Sequence, residues 1–362
     1  MDRLALRLAG PEEIVFDWTR DRCEPEDVPD LPARAYRDAD GNVQLFATHY
    51  VWRRETGPSL DTVQHRCPVV HRFHGNGDPA AFDDREWLAA TYTEDGRTIH
   101  ALVHNEYHGH LHPGRCAGSY DACLYNSITA AVSNDAGASW QHVAPPAHLI
   151  AAHQRPYVPL SSALGAFRPS NLFRNPKDGY VYAFLQQIAE PGSHLTRGVC
   201  LMRTRTLGDP TAWRAWDGDS FDHAFVNPYA TPGRPCVFVG WPELHEMGES
   251  VVWNDELRVF VMVGSENFGA DAGGFWFSFS RNLIDWTQRQ RFMEAEFPWT
   301  YRCGDPDVLA YPSLLDPASP SRNFDVTGRR AYVYFTHIHY PRCQMTLDRD
   351  LVRVPVELTV TP

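Results

Sequence analysis

The sequence predicts an all-β protein, a five-bladed β-propeller in which each blade is a four-stranded antiparallel meander. Three observations lead there. Short runs of alternating apolar residues are separated by polar turns, the period-2 signature of strands. Those runs recur in units of roughly 40–55 residues, the length of a propeller blade. Helix signals are weak, while 28 Pro and 25 Gly punctuate the 362 residues. A lone meander cannot bury both faces, whereas radial stacking buries them and leaves only short edges. The alternative is a β-sandwich. The repeated order of strand, Asp-Gly-type turn, aromatic strand and Trp-ended turn argues against it.

Residues 1–30 form a lead-in whose acidic loop, Asp21–Asp27, ends at Pro29-Asp30. The first blade (31–75) has strands at Ala33–Arg37 and Val43–Trp52 around a turn holding Gly41, then a run near Cys67–Phe73. Asp-Gly between two strand-like runs is a strong hairpin signal. The second (86–143) has Trp87–Thr93, the turn Glu94-Asp95-Gly96, Thr98–Glu106, an insertion His108–Tyr120, and Ile128–Ser133. The third (167–217) has Pro169–Arg174, Tyr180–Gln187, Gly198–Arg203 and Leu207–Trp216. The fourth (248–290) is the cleanest copy: Ser250–Trp253, a turn at Asn254–Glu256, Leu257–Val263, a Gly-rich loop, Phe275–Ser280, and a turn ending at Trp286. The fifth (310–360) has Ser313–Leu315, Arg330–Ile338 and a last strand, Val352–Val360, placed to close the ring. The reading is one domain over residues 1–362.

The net charge is −12 and no basic run occurs. Phosphate contacts need clustered Lys and Arg, so nucleic acid and anionic membrane surfaces are unfavourable partners. No apolar run reaches bilayer length. The first residues lack an apolar core of signal-peptide length. The eight Cys contain no Cys-x-x-Cys pair. The expectation is therefore reduced thiols in a cytoplasmic protein. The sequence is silent on oligomeric state. Eleven Trp and fifteen Tyr suit a sugar site, since such amphipathic rings line polar-ligand pockets.

Ser133-Asn134-Asp135-Ala136-Gly137-Ala138-Ser139-Trp140 resembles the Asp-box of sialidase-type propellers, with Ser139 in the Thr place. The resemblance implies a structural turn, tied by its Asp and packed by its Trp, and no catalytic role. Ser280-Arg281-Asn282-Leu283-Ile284-Asp285-Trp286 resembles the Ser-x-Asp-Leu-x-x-Trp turn of arabinanase- and invertase-like five-bladed glycoside hydrolases, with Asn282 replacing Asp. That likeness implies acidic residues at the channel mouth, near the starts of inner strands, and slightly favours an inverting mechanism. It implies no required cofactor. Some relatives place a blade-five histidine near a calcium in the central channel, a place His337 could take. The chain departs from the family in lacking clean Asn-Asp-Pro-Asn-Gly, Arg-Asp-Pro and Glu-Cys-Pro motifs.

Glycoside hydrolysis needs two carboxyl groups across the scissile bond, one donating a proton and one serving as base or nucleophile. Aligning the inner hairpins puts Glu249 at the start of the fourth inner strand, just before an apolar run. A carboxylate there is costly unless it faces solvent, which makes Glu249 the candidate general acid; its structural alternative is a rim glutamate. Asp30 precedes the first inner strand and is the candidate base or nucleophile, or else a turn aspartate. Asp78, in His74-Gly75-Asn76-Gly77-Asp78-Pro79, competes for that role. His104, Glu106 and His108 share one strand face. Glu106 is a further candidate carboxylate, with the histidines binding sugar hydroxyls. A metal there is disfavoured because no ligand set at zinc spacing follows. Arg34, Arg168 and Asn171 on inner strands, Trp241, Glu243 and Glu266 in flanking loops, and Asp305, Tyr311 and His337 around the fifth blade complete the substrate-binding candidates. Convergent arginines would suit an acidic sugar. The function expected is hydrolysis of a small glycoside or oligosaccharide. The alternatives are a carbohydrate-binding propeller without catalysis, and a sugar lyase using Tyr and His.

Overall fold

The computed structural model describes residues 4–161, 163–188, 197–266, 273–304 and 308–360. The lead-in supplies β1 (Leu4–Leu8) and β2 (Glu13–Phe16). Then come β3 (Arg34–Arg37), β4 (Val43–Phe46), β5 (Val51–Gly57) and β6 (Gln64–Arg72). They are followed by β7 (Arg85–Tyr92), β8 (Ile99–His108), β9 (Leu124–Ser133) and β10 (Leu149–Ala152). Next are β11 (Leu164–Phe167), β12 (Phe173–Arg174), β13 (Val181–Ile188), β14 (Arg197–Thr204) and β15 (Arg214–Ala215). The chain continues with β16 (Ser250–Asn254), β17 (Val259–Glu266), β18 (Gly274–Ser280) and β19 (Gln290–Glu294). It ends with β20 (Val308–Leu315), β21 (Val326–Thr327), β22 (Arg330–Ile338) and β23 (Arg349–Val360). The only α-helix among the described residues is the single turn Trp18–Asp21, and none of their helices is long and apolar enough to cross a membrane.

Hydrogen bonding groups these strands into sheets with orders β3-β4-β5-β6, β19-β18-β17-β16-β21, β1-β23-β22-β20 with β2 also on β23, and a long β15-β14-β13-β11-β9-β8-β7 sheet. The long sheet is joined at its middle only by the parallel pairs Leu164↔Tyr125 and Gly165↔Asn126. The lead-in is more than a loop, because β1 pairs antiparallel with the C-terminal strand, Leu4↔Val360 to Leu8↔Val356. The core lies between the sheets. Phe173 meets Phe260 at 5.9 Å and Phe275 meets Phe335 at 5.4 Å between ring centroids, all four rings being buried.

Both Trp-ended turns form as their side chains dictate. Asp135 accepts from Ser133 Oγ at 2.7 Å and Ser139 N at 2.9 Å, and Trp140 packs edge-on against Trp52 at 5.8 Å. Asn282 Oδ1 takes the Asp role in the other turn, accepting from Ile284 N and Asp285 N at 3.0 and 2.9 Å. Trp286 then packs against Phe184 of β13, 5.7 Å away.

The cysteines correct the expectation of reduced thiols. All eight pair, as Cys23–Cys67, Cys116–Cys123, Cys200–Cys236 and Cys303–Cys343. Three of the pairs are 36 to 44 residues apart in sequence and meet only through the fold, so spacing alone conceals them.

The lead-in is also held by charge. His65 Nε2 on β6 lies 2.6 Å from Asp27 Oδ2, and its Nδ1 lies 3.4 Å from Glu55 Oε1. Burial alone would lower the imidazole pKa, but the Asp27 and Glu55 carboxylates outweigh it and push it up to about 9. With the folded value above the ordinary one, the contribution is complete below pH 6.5 and disappears as pH rises through about 9. Between those values Tm is expected to fall by roughly 1–4 °C more in the wild type than in His65→Gln, measured by calorimetry. Parallel pH profiles would contradict this account.

Candidate active site

A cleft of about 640 Å³ opens where strand ends of different sheets converge. Asp30 enters it from just before β3, Trp87 from β7, His104 and Glu106 from β8, Ser265 and Glu266 from β17, and Tyr311 from β20. Arg168 and Trp299 line the same cleft, with the guanidinium 4.8 Å from the indole centroid. His104 and Glu106 face the same way because strand side chains alternate. Tyr311 is turned in by a bulge: β20 shifts register between Ala310 and Ser313, and Tyr311 has φ 63°.

Asp30 is held from several sides. Trp87 Nε1 donates to its Oδ2 at 3.0 Å, the Tyr311 hydroxyl donates to Oδ1 at 3.3 Å, and Arg349 Nη1 pairs with Oδ1. His49 stands 3.7 Å from Oδ2, and burial lowers its pKa, so it is neutral near pH 7. Glu106 Oε2 accepts from His108 Nε2 and the Tyr120 hydroxyl, each at 2.8 Å. Burial would raise this carboxyl, but the hydrogen bonds from His108 and Tyr120 hold it below its usual value. Burial lowers His104, leaving a neutral ring 3.7 Å from Glu106.

Glu249 sits one layer behind the cleft wall, 3% exposed. Its Oε1 accepts from Ser265 N at 3.0 Å and Ser265 Oγ at 2.6 Å, and its Oε2 accepts from Gly248 N at 3.0 Å. Burial raises its pKa against the opposing pull of the Ser265 bond, the Gly248 N–H and the Arg168 charge. The carboxyl lies flat against β17 because Gly264 has no side chain; a Cβ there would collide with Oε2. Glu249 is thus pushed toward its protonated form, while Glu106 is held ionised.

Other expectations are corrected. Arg34 is 2% exposed and binds no ligand from the cleft. Its guanidinium donates to Ala89 O at 2.8 Å, Glu249 O at 2.7 Å, Ser313 Oγ at 3.1 Å, Ala33 O at 3.3 Å and Pro169 O at 3.5 Å. Burial lowers its pKa to about 9. A calcium ion where these strands converge would meet this fixed guanidinium. Asn171 is spent on β16, accepting from Val251 N at 2.7 Å and donating to Val251 O at 2.8 Å. Asp78 is exposed and caps a short 3₁₀ turn through Ala80 N, outside the cleft. Trp241 is 43% exposed beside His245, and the Glu243 main chain accepts from Arg289; neither lines the cleft. His337 stacks on His339 with Nδ1 3.4 Å from Glu12, away from the cleft. His108 acts through Glu106 and does not line the cavity itself. Asp305 lies outside the described residues. Sequence reasoning missed Trp87, Tyr120, Ser265, Trp299 and Arg349 as parts of the site. Only the Trp residues carried a signal, as aromatic rings at strand and loop ends.

No protein-family model matches the chain, and no curated protein matches it. Solved structures do. The xylan β-1,4-xylosidase from Bacillus halodurans C-125 is 12% identical with a TM-score of 0.51, over 91% of this chain and 54% of that one. A family 117 glycoside hydrolase from the marine bacterium Zobellia galactanivorans is 8% identical with a TM-score of 0.51, over 99% of this chain and 91% of that one. At these identities the likeness is one of fold, that of propeller glycoside hydrolases. The chain spans about half the length of the xylosidase.

Proposed function

We propose that this chain is a glycoside hydrolase acting on a small glycoside or oligosaccharide, on a scaffold of five blades. The observation that carries the reading is the convergence of Asp30, Glu106 and Glu266 from different sheets on one cleft, with Glu249 kept more proton-avid by burial directly behind it. The five-blade count is supported by Arg34, whose acceptors Ala33, Ala89, Pro169, Glu249 and Ser313 come one from each repeat unit. The short parallel join between β11 and β9 explains why two blades share one hydrogen-bonded sheet.

In the proposed reaction the 2.6 Å contact runs the other way once Glu249 is protonated: its Oε1–H gives a proton to Ser265 Oγ as that hydroxyl gives its own to the leaving oxygen. Asp30 takes a proton from water, whose oxygen bonds to the anomeric carbon as the glycosidic C–O bond breaks. Direct displacement with inversion follows the resemblance of the Ser280–Trp286 turn. Two carboxyl groups suffice for this chemistry, with no cofactor. Trp87 and Trp299 offer faces for sugar rings. A lyase using tyrosine as base is less favoured, because burial and the Glu106 and Asp30 carboxylates push Tyr120 and Tyr311 upward, away from a base useful near neutral pH. Four disulfides suit an oxidising compartment, so we place the working location there and not in a reducing cytoplasm.

Arg168 makes no hydrogen bond or ion pair among the described residues and faces the cleft, which suits a sugar carboxylate or fixed hydroxyls. Arg168→Ala is expected to raise KM roughly 10–100-fold with a smaller change in kcat, by steady-state kinetics. An unchanged KM would remove Arg168 from recognition. The reading as a whole is tested by 4-nitrophenol release from a panel of 4-nitrophenyl glycosides and glycuronides. Turnover of a panel member supports it, and silence across the panel counts against it.

A further inference from the structure

Glu86 and Trp87 are consecutive on β7, so their side chains leave opposite faces. Trp87 turns toward the cleft. Behind it, Glu86, 1% exposed, joins Asp83, His74 and His142 in a compact cluster. His74 Nδ1 is 2.7 Å from Asp83 Oδ1 and 3.0 Å from Glu86 Oε2. His142 Nε2 is 3.3 Å from His74 Nδ1, 3.4 Å from Asp83 Oδ1 and 3.9 Å from Glu86 Oε1. The four ligand atoms lie within 4.8 Å of one another. Zinc bonds of about 2.0–2.1 Å in a tetrahedron put neighbouring ligand atoms about 3.3 Å apart, the middle of that range.

A second observation concerns the proton on His142. Its Nδ1 lies 2.8 Å from Val143 O, a contact that only a ring N–H can make. Whenever that ring is neutral, its Nε2 presents a lone pair to His74 Nδ1 and to carboxylate oxygens. Lone pairs brought so close need a cation or a proton among them. A backbone carbonyl fixing the far nitrogen is the support that metal-bound histidines commonly receive. The carboxylate is steadied likewise, with His71 Nε2 3.0 Å from Glu86 Oε2. The loop carrying His74 is anchored beside Asp83 by Gly75 N to Asp84 O and Asn76 N to Asp83 O, each 3.0 Å.

We propose that His74 Nδ1, Asp83 Oδ1, the Glu86 carboxylate and His142 Nε2 bind a zinc ion. Two imidazole nitrogens do not suit calcium, which takes six to eight oxygen ligands. Four protein ligands make a closed, structural site. It ties the loop between β6 and β7 to the segment after β9.

The test uses the full chain, stripped with chelator, exposed to zinc chloride, desalted and assayed for metal by mass spectrometry. About one zinc per chain is expected in the wild type and less than a tenth of that in His142→Ala and His74→Ala. With zinc at 100 times its Kd, the wild-type Tm rises by roughly 3–4 °C and that of His74→Ala does not. The His74 side chain is 46% exposed, so its removal leaves the core intact and decides the matter if His142→Ala fails to fold. A wild type that retains no zinc would overturn the proposal in favour of a protonated His74 bridging the two carboxylates. Equal zinc in wild type and His74→Ala would overturn it too, by placing the metal elsewhere, such as at the cleft histidines.

Discussion

Asp30→Asn is expected to lower kcat on a turned-over aryl glycoside by about 10²–10⁴-fold, with KM little changed. The size follows from the role. A water molecule bonded to an anomeric centre must lose its proton, and an amide cannot accept it. The substitution is nearly isosteric. Its side-chain oxygen can still accept from Tyr311 or Trp87, which hold Asp30 at 3.3 and 3.0 Å. The ion pair to Arg349 is lost, so Tm must be measured alongside kinetics. A folded variant with activity within threefold of wild type would remove Asp30 as base.

The largest expected effect on stability is at Arg34. Arg34→Met is expected to destabilise the fold by about 3–5 kcal/mol, because it strands buried acceptors that one guanidinium now serves. For a chain this long that corresponds to a Tm lower by about 4–7 °C. The acceptors are Ala89 O, Glu249 O, Pro169 O, Ala33 O and Ser313 Oγ, so the loss is felt by every sheet that meets at the centre. Arg34→Lys should recover only part of it, since an ammonium has three donors and no planar fork to reach acceptors on all sides. A Met variant as stable as wild type would show that these bonds are individually weak and replaceable by packing.

Which features the sequence disclosed depended on how local their cause was. The strands around Trp253, Val261 and Phe277 declare themselves by alternation, and both Trp-ended turns by side chains that bond their own backbone. β1 does not, because its partner is β23 at the other end of the chain. Three of the four disulfides are hidden for the same reason. At the site, Asp30, Glu106, His104, Arg168, Glu266 and Tyr311 were all readable as polar residues at strand ends and do line one cleft. Arg34 and Asn171 occupy equivalent places, yet turn inward to satisfy backbone groups of neighbouring sheets. Sequence position fixes the strand end and not the direction of the side chain. Arg349, which pairs with Asp30, sits in a stretch that reads as an ordinary charged turn. The His74–His142 cluster draws on residues almost 70 positions apart, and no ligand spacing announces it.

In the proposed mechanism Glu249 is the proton donor behind Ser265. The direct measurement is 4-nitrophenol release by wild type and Glu249→Gln across pH, on whichever panel glycoside the wild type turns over, repeated with the methyl glycoside of the same sugar. A raised carboxyl must be protonated to act, so wild-type activity should fall as pH rises through a value above the ordinary glutamate pKa. Glu249→Gln should lose that alkaline limb, and should lose about 10²-fold or more on the methyl glycoside while sparing the activated aryl one. Equal rates and identical pH profiles for the two proteins on both substrates would contradict the mechanism.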